Sequence, residues 1–196
     1  MTARILPGEV IHIWDHNVIT LAEDGRETGF LSWYAITWSA SLGAGNVALF
    51  EAADLGVAAV LTDDPGLGER MRTRLLDMGF DRPALAGGPL TATFTRRPFG
   101  PAGFGVRIIA ADVDVEADWA GSTAPFWVDG EHGGFHAAED IWSAFVEAPA
   151  ATLALNGKRL PGQPFPDDQW VRVLGRPISS AHGALSEVRV TPTEAR

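Results

Sequence analysis

The stretch "GFLSWYAITWS", residues 29–39, contains no charged residue. In an extended chain Phe30, Tyr34 and Trp38 fall on one side and Leu31 and Trp33 on the other, because strand side chains alternate. A strand that is apolar on both sides is central in its sheet, or lines a cavity with its second face.

Several other segments have the same two-residue period. "EVIHIW" and "NVITL" flank Asp15-His16 and lead to "EDGR", which reads as a hairpin turn. In "GPLTATFTRR", Leu90, Ala92 and Phe94 alternate with Thr91, Thr93 and Thr95. "DVDVEADW" turns Val113, Val115, Ala117 and Trp119 inward and sets Asp112, Asp114, Glu116 and Asp118 on the other face, as a solvated acidic ladder. Asn156-Gly157 supplies the positive φ angles of a tight hairpin, "ALSEVRV" reads as a last strand, and the proline-rich 160–169 reads as a loop.

One segment has the helical period. "TDDPGLGERMRTRLLDMGF" offers an aspartate cap at 63 or 64, Pro65 in the first turn, an apolar stripe Leu67, Met71, Leu75 and Met78, and Gly79 as a stop. The run "GVAAVLT" before it makes a local β–α unit. At 137–147, "AAEDIWSAFVE" fits a helix through Ile141, Ala144 and Phe145 and a strand through Trp142, Ala144 and Val146. The expected fold is therefore mainly β (α+β). It is an antiparallel β-barrel or β-sandwich in one domain spanning 1–196, with one amphipathic helix at about 65–78 and helix or strand at about 137–147.

Composition narrows the chemistry. The chain of 196 residues carries a formal net charge of −10, and its basic dipeptides, Arg96-Arg97 and Lys158-Arg159, make no track for a polyanion. Nucleic acid is not an expected partner. No run of about 18 uncharged apolar residues suggests a membrane span, and the first residues show no signal core, so the expectation is a cytoplasmic protein. The count of zero cysteines excludes disulfides and thiolate chemistry. Lys158 is the sole lysine, so an imine-forming amine exists nowhere else. There is no phosphate-binding loop, and Gly66-Leu67-Gly68 lacks the third glycine of a dinucleotide site, so no nucleotide cofactor is expected.

Two histidine pairs stand out. In "HIWDH", His12, Trp14 and His16 share one strand face, while Ile11, Ile13 and Asp15 take the other. Trp14 could serve as a platform there, with the imidazoles as acid/base groups. In "EHGGFHAAED", His136 and Glu139 share a face if a helix starts near 136, and Gly133-Gly134 lets His132 fold back toward them. Imidazole and carboxylate suit a divalent metal, so His132, His136 and Glu139 are the metal candidates, though the segment has no His-x-His core. His182 lies near Ser179-Ser180, but without a Gly-x-Ser-x-Gly elbow.

Three classes of function follow. The leading one is a binding protein for a small apolar or ring-containing ligand, held by Trp14, Trp33, Tyr34, Trp38 and Trp142. The second is an enzyme using His12, His16, His136 and Glu139, with or without a metal, which requires the two histidine segments to meet. The third is a structural protein or homo-oligomer joined through an exposed sheet edge.

Overall fold

The structure is a computed structural model that describes residues 8–100, 103–130 and 139–190. Its strands run in chain order as β1 (Val10–Leu21), β2 (Glu27–Ser39), β3 (Gly45–Ala52), β4 (Val57–Thr62), β5 (Leu90–Thr91), β6 (Thr93–Gly100), β7 (Gly103–Ala110) and β8 (Val113–Trp119). They continue as β9 (Phe126–Gly130), β10 (Glu139–Glu147), β11 (Thr152–Leu155), β12 (Lys158–Arg159), β13 (Pro166–Asp167), β14 (Ile178–Ser179) and β15 (Ala181–Val190). The helices are α1 (Pro65–Asp77) and α2 (Val171–Leu174).

The fold is mostly β, as expected. Eight strands form a large sheet in the order β5-β4-β3-β2-β1-β15-β10-β9, five form a smaller one in the order β12-β11-β8-β7-β6, and β13 and β14 make a ribbon. Pairing is antiparallel except between β4 and β5, which α1 connects. A two-strand parallel pair with a helical crossover is the β–α unit read from "GVAAVLT". The barrel alternative fails: among the described residues the large sheet ends at β5 and β9, and these edges do not pair with each other.

Strand β2 is central and buried on both faces. On the inner face, Leu31, Trp33 and Phe50 of the large sheet pack against Ile108, Val115 and Trp119 of the small one. On the outer face, Leu67, Met71 and Leu75 of α1 cover Tyr34, Leu49 and Val60. The cap of α1 is Asp64, whose carboxylate accepts from Leu67 N at 3.0 Å. Its stop is Gly79 at φ 81°, with Phe80 N bonded back to Leu75 O.

One open choice is settled and three expectations need correction. Residues 139–147 are strand β10, not a helix. Ser143 and Phe145 are buried and Trp142 is exposed, a period of two imposed by β9 and β15 on either side. Trp38 does not share the face of Tyr34. Ile36 pairs with Ile13 and Trp38 with the adjacent His12, so Thr37 is an extra residue, and this bulge turns Trp38 to the opposite face. The two segments flanking Asp15-His16 are one continuous strand, β1. The alternating run 90–95 breaks at Ala92, which passes from the large sheet to the small one. The short α2, closed by Gly175 at φ 69°, has no counterpart in the sequence reading.

The acidic ladder behaves as expected. Asp114 pairs with Arg107 of the neighbouring β7, Nη2 to Oδ2 at 2.6 Å, and Asp118 with Arg97 of β6, one strand farther on. Asn156 and Gly157 turn the β11–β12 hairpin at φ 52° and 73°.

Candidate functional site

Among the described residues, the outer face of the large sheet is roofed at its two ends. Helix α1 covers β2, β3 and β4. At the other end Trp170, Val173 and Leu174 pack on Val128, Phe145 and Ala184. This second cover is pinned by Glu147, whose Oε2 accepts from Ser179 N at 2.8 Å and whose Oε1 accepts from Arg176 at 3.0 Å. Between the covers lies a cavity of about 640 Å³. Its walls are mainly apolar, among them Ile13, Ile19, Met71, Ile141, Phe145 and Val188. That size suits a small organic molecule.

A row of polar groups crosses the cavity's sheet wall. Asp15 and Asn17 are two apart on β1 and so share its outer face. The antiparallel register places His182 of β15 opposite Asn17. Asn17 Nδ2 donates to Asp15 Oδ1 at 3.0 Å and lies 3.4 Å from His182 Nε2. His182 Nδ1 is 3.1 Å from the Ser179 carbonyl, which can only accept, so Nδ1 carries the proton. Nε2 is then the acceptor that faces Asn17. Deeper along β10 and β15, Ser143 Oγ and Ser186 Oγ share a hydrogen bond of 2.7 Å.

Burial sets the charge of this row. It pushes the Asp15 carboxyl up to about 7, against which the bond from Asn17 works only in part. It pulls His182 down to about 4, so the imidazole is neutral near pH 7. It also raises the Tyr34 phenol, and the nearby Asp15 charge adds to that. Near neutrality the cavity therefore holds a carboxyl group near its midpoint beside a neutral imidazole and a protonated phenol. Such a carboxyl can give or take a proton without a large driving force. Arg82, at the cavity's edge, is spent on Glu27 at 2.6 Å and Glu51 at 3.4 Å.

Arg74, Asp81, Asp167 and Arg172 also line the cavity. Lys158 is exposed on β12, away from the cavity walls. Ser179 Oγ accepts from Ala181 N, and Ser180 Oγ donates to Ile19 O, so neither serine is activated by His182. Among the described residues no group of three His, Asp or Glu side chains could hold a metal ion.

The residues singled out from sequence go to different places. Of the ligand-binding candidates, Tyr34 lines the cavity. Trp14 and Trp33 lie on the inner face with His16, around a smaller cavity of about 280 Å³. Trp38 and Trp142 are 52% and 47% exposed, and Trp142 stacks on Trp127 at 4.7 Å. His12 is exposed and pairs with Glu187 at 3.3 Å, while His16 is buried, so the two are not joined in one site. His132 and His136 lie outside the described residues, and of Glu139 only the backbone is placed, opposite Val190. Asp15, Asn17 and His182 were not grouped by sequence reasoning. The signal was present in part: Asp15 and Asn17 interrupt an otherwise isoleucine-rich face made by Ile11, Ile13 and Ile19.

Among described residues no helix is long and apolar enough to cross a membrane. No family model matches the chain, and no curated protein matches it. Among solved structures it is similar to the acetoacetate decarboxylase of Legionella pneumophila, at 9% identity over 97% of this chain and 87% of that one, with a TM-score of 0.44.

Proposed function

We propose that the chain binds a small, largely apolar molecule with one polar end in the cavity on the outer face of the large sheet. The carrying observation is the Asp15–Asn17–His182 row, set in a wall that is otherwise mainly apolar. A half-buried carboxyl at an apolar wall is unfavourable for folding unless its polar atoms are met, and Asn17 meets one Asp15 oxygen. The remaining oxygen and the Tyr34 phenol supply the few convergent polar groups that orient a ligand in an apolar pocket. Trp170 reports on the site, because its ring stands 5.1 Å from His182 and 5.3 Å from Phe145.

The test is a titration with apolar, ring-containing and sugar compounds, read by tryptophan emission and melting temperature. A ligand at 100 times its Kd stabilises by about 2.7 kcal/mol, which is several degrees in Tm for a domain of this size. Hits that shift both signals in the wild type and lose affinity in Trp170→Phe or Asp15→Ala support the reading. No shift across the library overturns it.

A second reading is favoured by the position of Asp15 near its midpoint at neutral pH. Asp15 then acts as general acid or base on the bound molecule, with Asn17 holding it and neutral His182 fixing Asn17. Asp15→Asn in that case retains the ligand within a few-fold but abolishes turnover. Equal turnover in the variant rules the reading out.

A further inference from the structure

The inner face of the same sheet has its own cavity, of about 280 Å³, too small for a drug-sized ligand and large enough for one ring. We infer that it is a second site, separate from the outer one, for a single-ring aromatic carboxylate.

Its walls come from both sheets. Trp14 and His16 of β1 and Trp33 of β2 form one side, and Phe104 and Gly105 of β7 the other. His16 is 3% exposed and stacks on Trp33 at 4.6 Å, with Phe104 edge-on at 5.0 Å. Gly183, across from His16 in β15, has no room for a side chain: a Cβ there would come within 3.0 Å of both the His16 and Phe104 rings. Flat π-faces with a ring-sized gap favour a flat ligand.

The rim sets the charge. Arg96 and Arg97 of β6 border the cavity. Arg97 is neutralised by Asp118. Arg96 makes no ion pair among the described residues. Its Nη2 donates to the neutral Asn46 Oδ1 at 2.8 Å, and its guanidinium sits over Trp33 at 5.1 Å. The same Asn46 oxygen accepts Trp33 Nε1 at 3.1 Å, and Asn46 Nδ2 is held by Asp63 at 2.5 Å. One asparagine thus fixes both the stacking surface and the cation before any ligand arrives. The Arg96 charge is felt at the cavity floor, where after burial it is the next cause that lowers the His16 pKa, to about 3. A neutral floor, aromatic walls and one guanidinium with donors to spare suit a planar anion and disfavour a cation.

The experiment is titration of the whole chain with sodium benzoate at low and high salt, read by tryptophan emission. Cyclohexanecarboxylate, benzyl alcohol and benzyltrimethylammonium are run in parallel. Benzoate is expected to bind at least fivefold more tightly than any of the three, and more weakly at high salt. Arg96→Gln, a change at an exposed side chain, is expected to weaken benzoate about tenfold, and Arg96→Lys less. Asp15→Asn, which alters only the outer cavity, leaves it unchanged. Benzoate without effect on emission, or binding no better than the controls, overturns the inference. So does affinity lost in Asp15→Asn but kept in Arg96→Gln, which assigns benzoate to the outer cavity and leaves that reading standing.

Discussion

The two faces of the large sheet are made by the same strands and have opposite fates. The inner face meets another sheet. Sheet on sheet brings two pleated, side-chain-bearing surfaces together over the middle of the face, and Trp33, Phe50, Trp119 and Leu153 fill most of the space, with the smaller cavity left beside His16. The outer face meets one helix of 13 residues and a short cover around Trp170. Those two pieces do not reach each other, and the gap between them is the larger cavity. Neighbouring residues on β1 show the contrast at its sharpest: His16 is packed among rings and neutral, while Asp15 opens onto the cavity and titrates near 7.

The largest effect that would test this contrast comes from truncating the inner face. Trp119 is fully buried and its Nε1 donates to Asn17 O at 2.9 Å. Trp119→Ala is expected to destabilise by about 3–5 kcal/mol in urea unfolding. Val188→Ala, in the outer wall, is expected to lose about 1 kcal/mol or less, since part of its side chain already faces empty space. Similar losses for both would mean that the outer cavity collapses in solution.

Next in size is the pH dependence of stability. The folded Asp15 pKa of about 7 stands above its ordinary 3.8, so between these values the folded chain holds a proton that the unfolded one has lost. Its contribution to stability is present below about pH 4 and is lost as pH rises through 7. His182, lowered to about 4 from 6.5, acts the other way: stability is gained as pH rises from 4 to 6.5. His16, lowered to about 3, has the same sign as His182. The wild-type curve should therefore rise to about pH 6.5 and dip just above it. In Asp15→Asn the rise steepens and the dip vanishes, as urea midpoints from pH 4 to 8 would show. An unchanged profile would place Asp15 in water.

A smaller effect is expected at the helix. Asp64→Ala removes the cap of α1 and should lower stability by about 1 kcal/mol. The smallest is expected at Arg107, an exposed partner of Asp114. Arg107→Ala should move the thermal midpoint by little, since exposed ion pairs contribute little. A large drop there would show that the small sheet depends on its solvated face as well as on its core.

Legibility in the sequence followed locality. The helix 65–78, the hairpin at Asn156-Gly157 and the inward row from Val113 to Trp119 each depend on neighbours a few residues away, and all three came out as expected. So did the sharing of one face by His12, Trp14 and His16. Segment 139–147 stayed ambiguous because its backbone state depends on β9 and β15, which are distant in sequence. Trp38 went to the unexpected face because a single bulged residue inverts everything beyond it. The candidate site was harder still. Its histidine comes from a strand 165 residues away from Asn17, and neither residue carries a motif that announces the other.

Alternation along each strand was settled by the chain itself, because side chains in an extended backbone must point to opposite sides. That put Asp15 on one face and His16 on the other before any partner was chosen. Which face would be filled by a second sheet with room for one small cavity, and which would keep the larger one, belonged to the tertiary structure. It depends on whether a whole sheet or only a short helix comes to lie against it, and no local interaction in β1 encodes that.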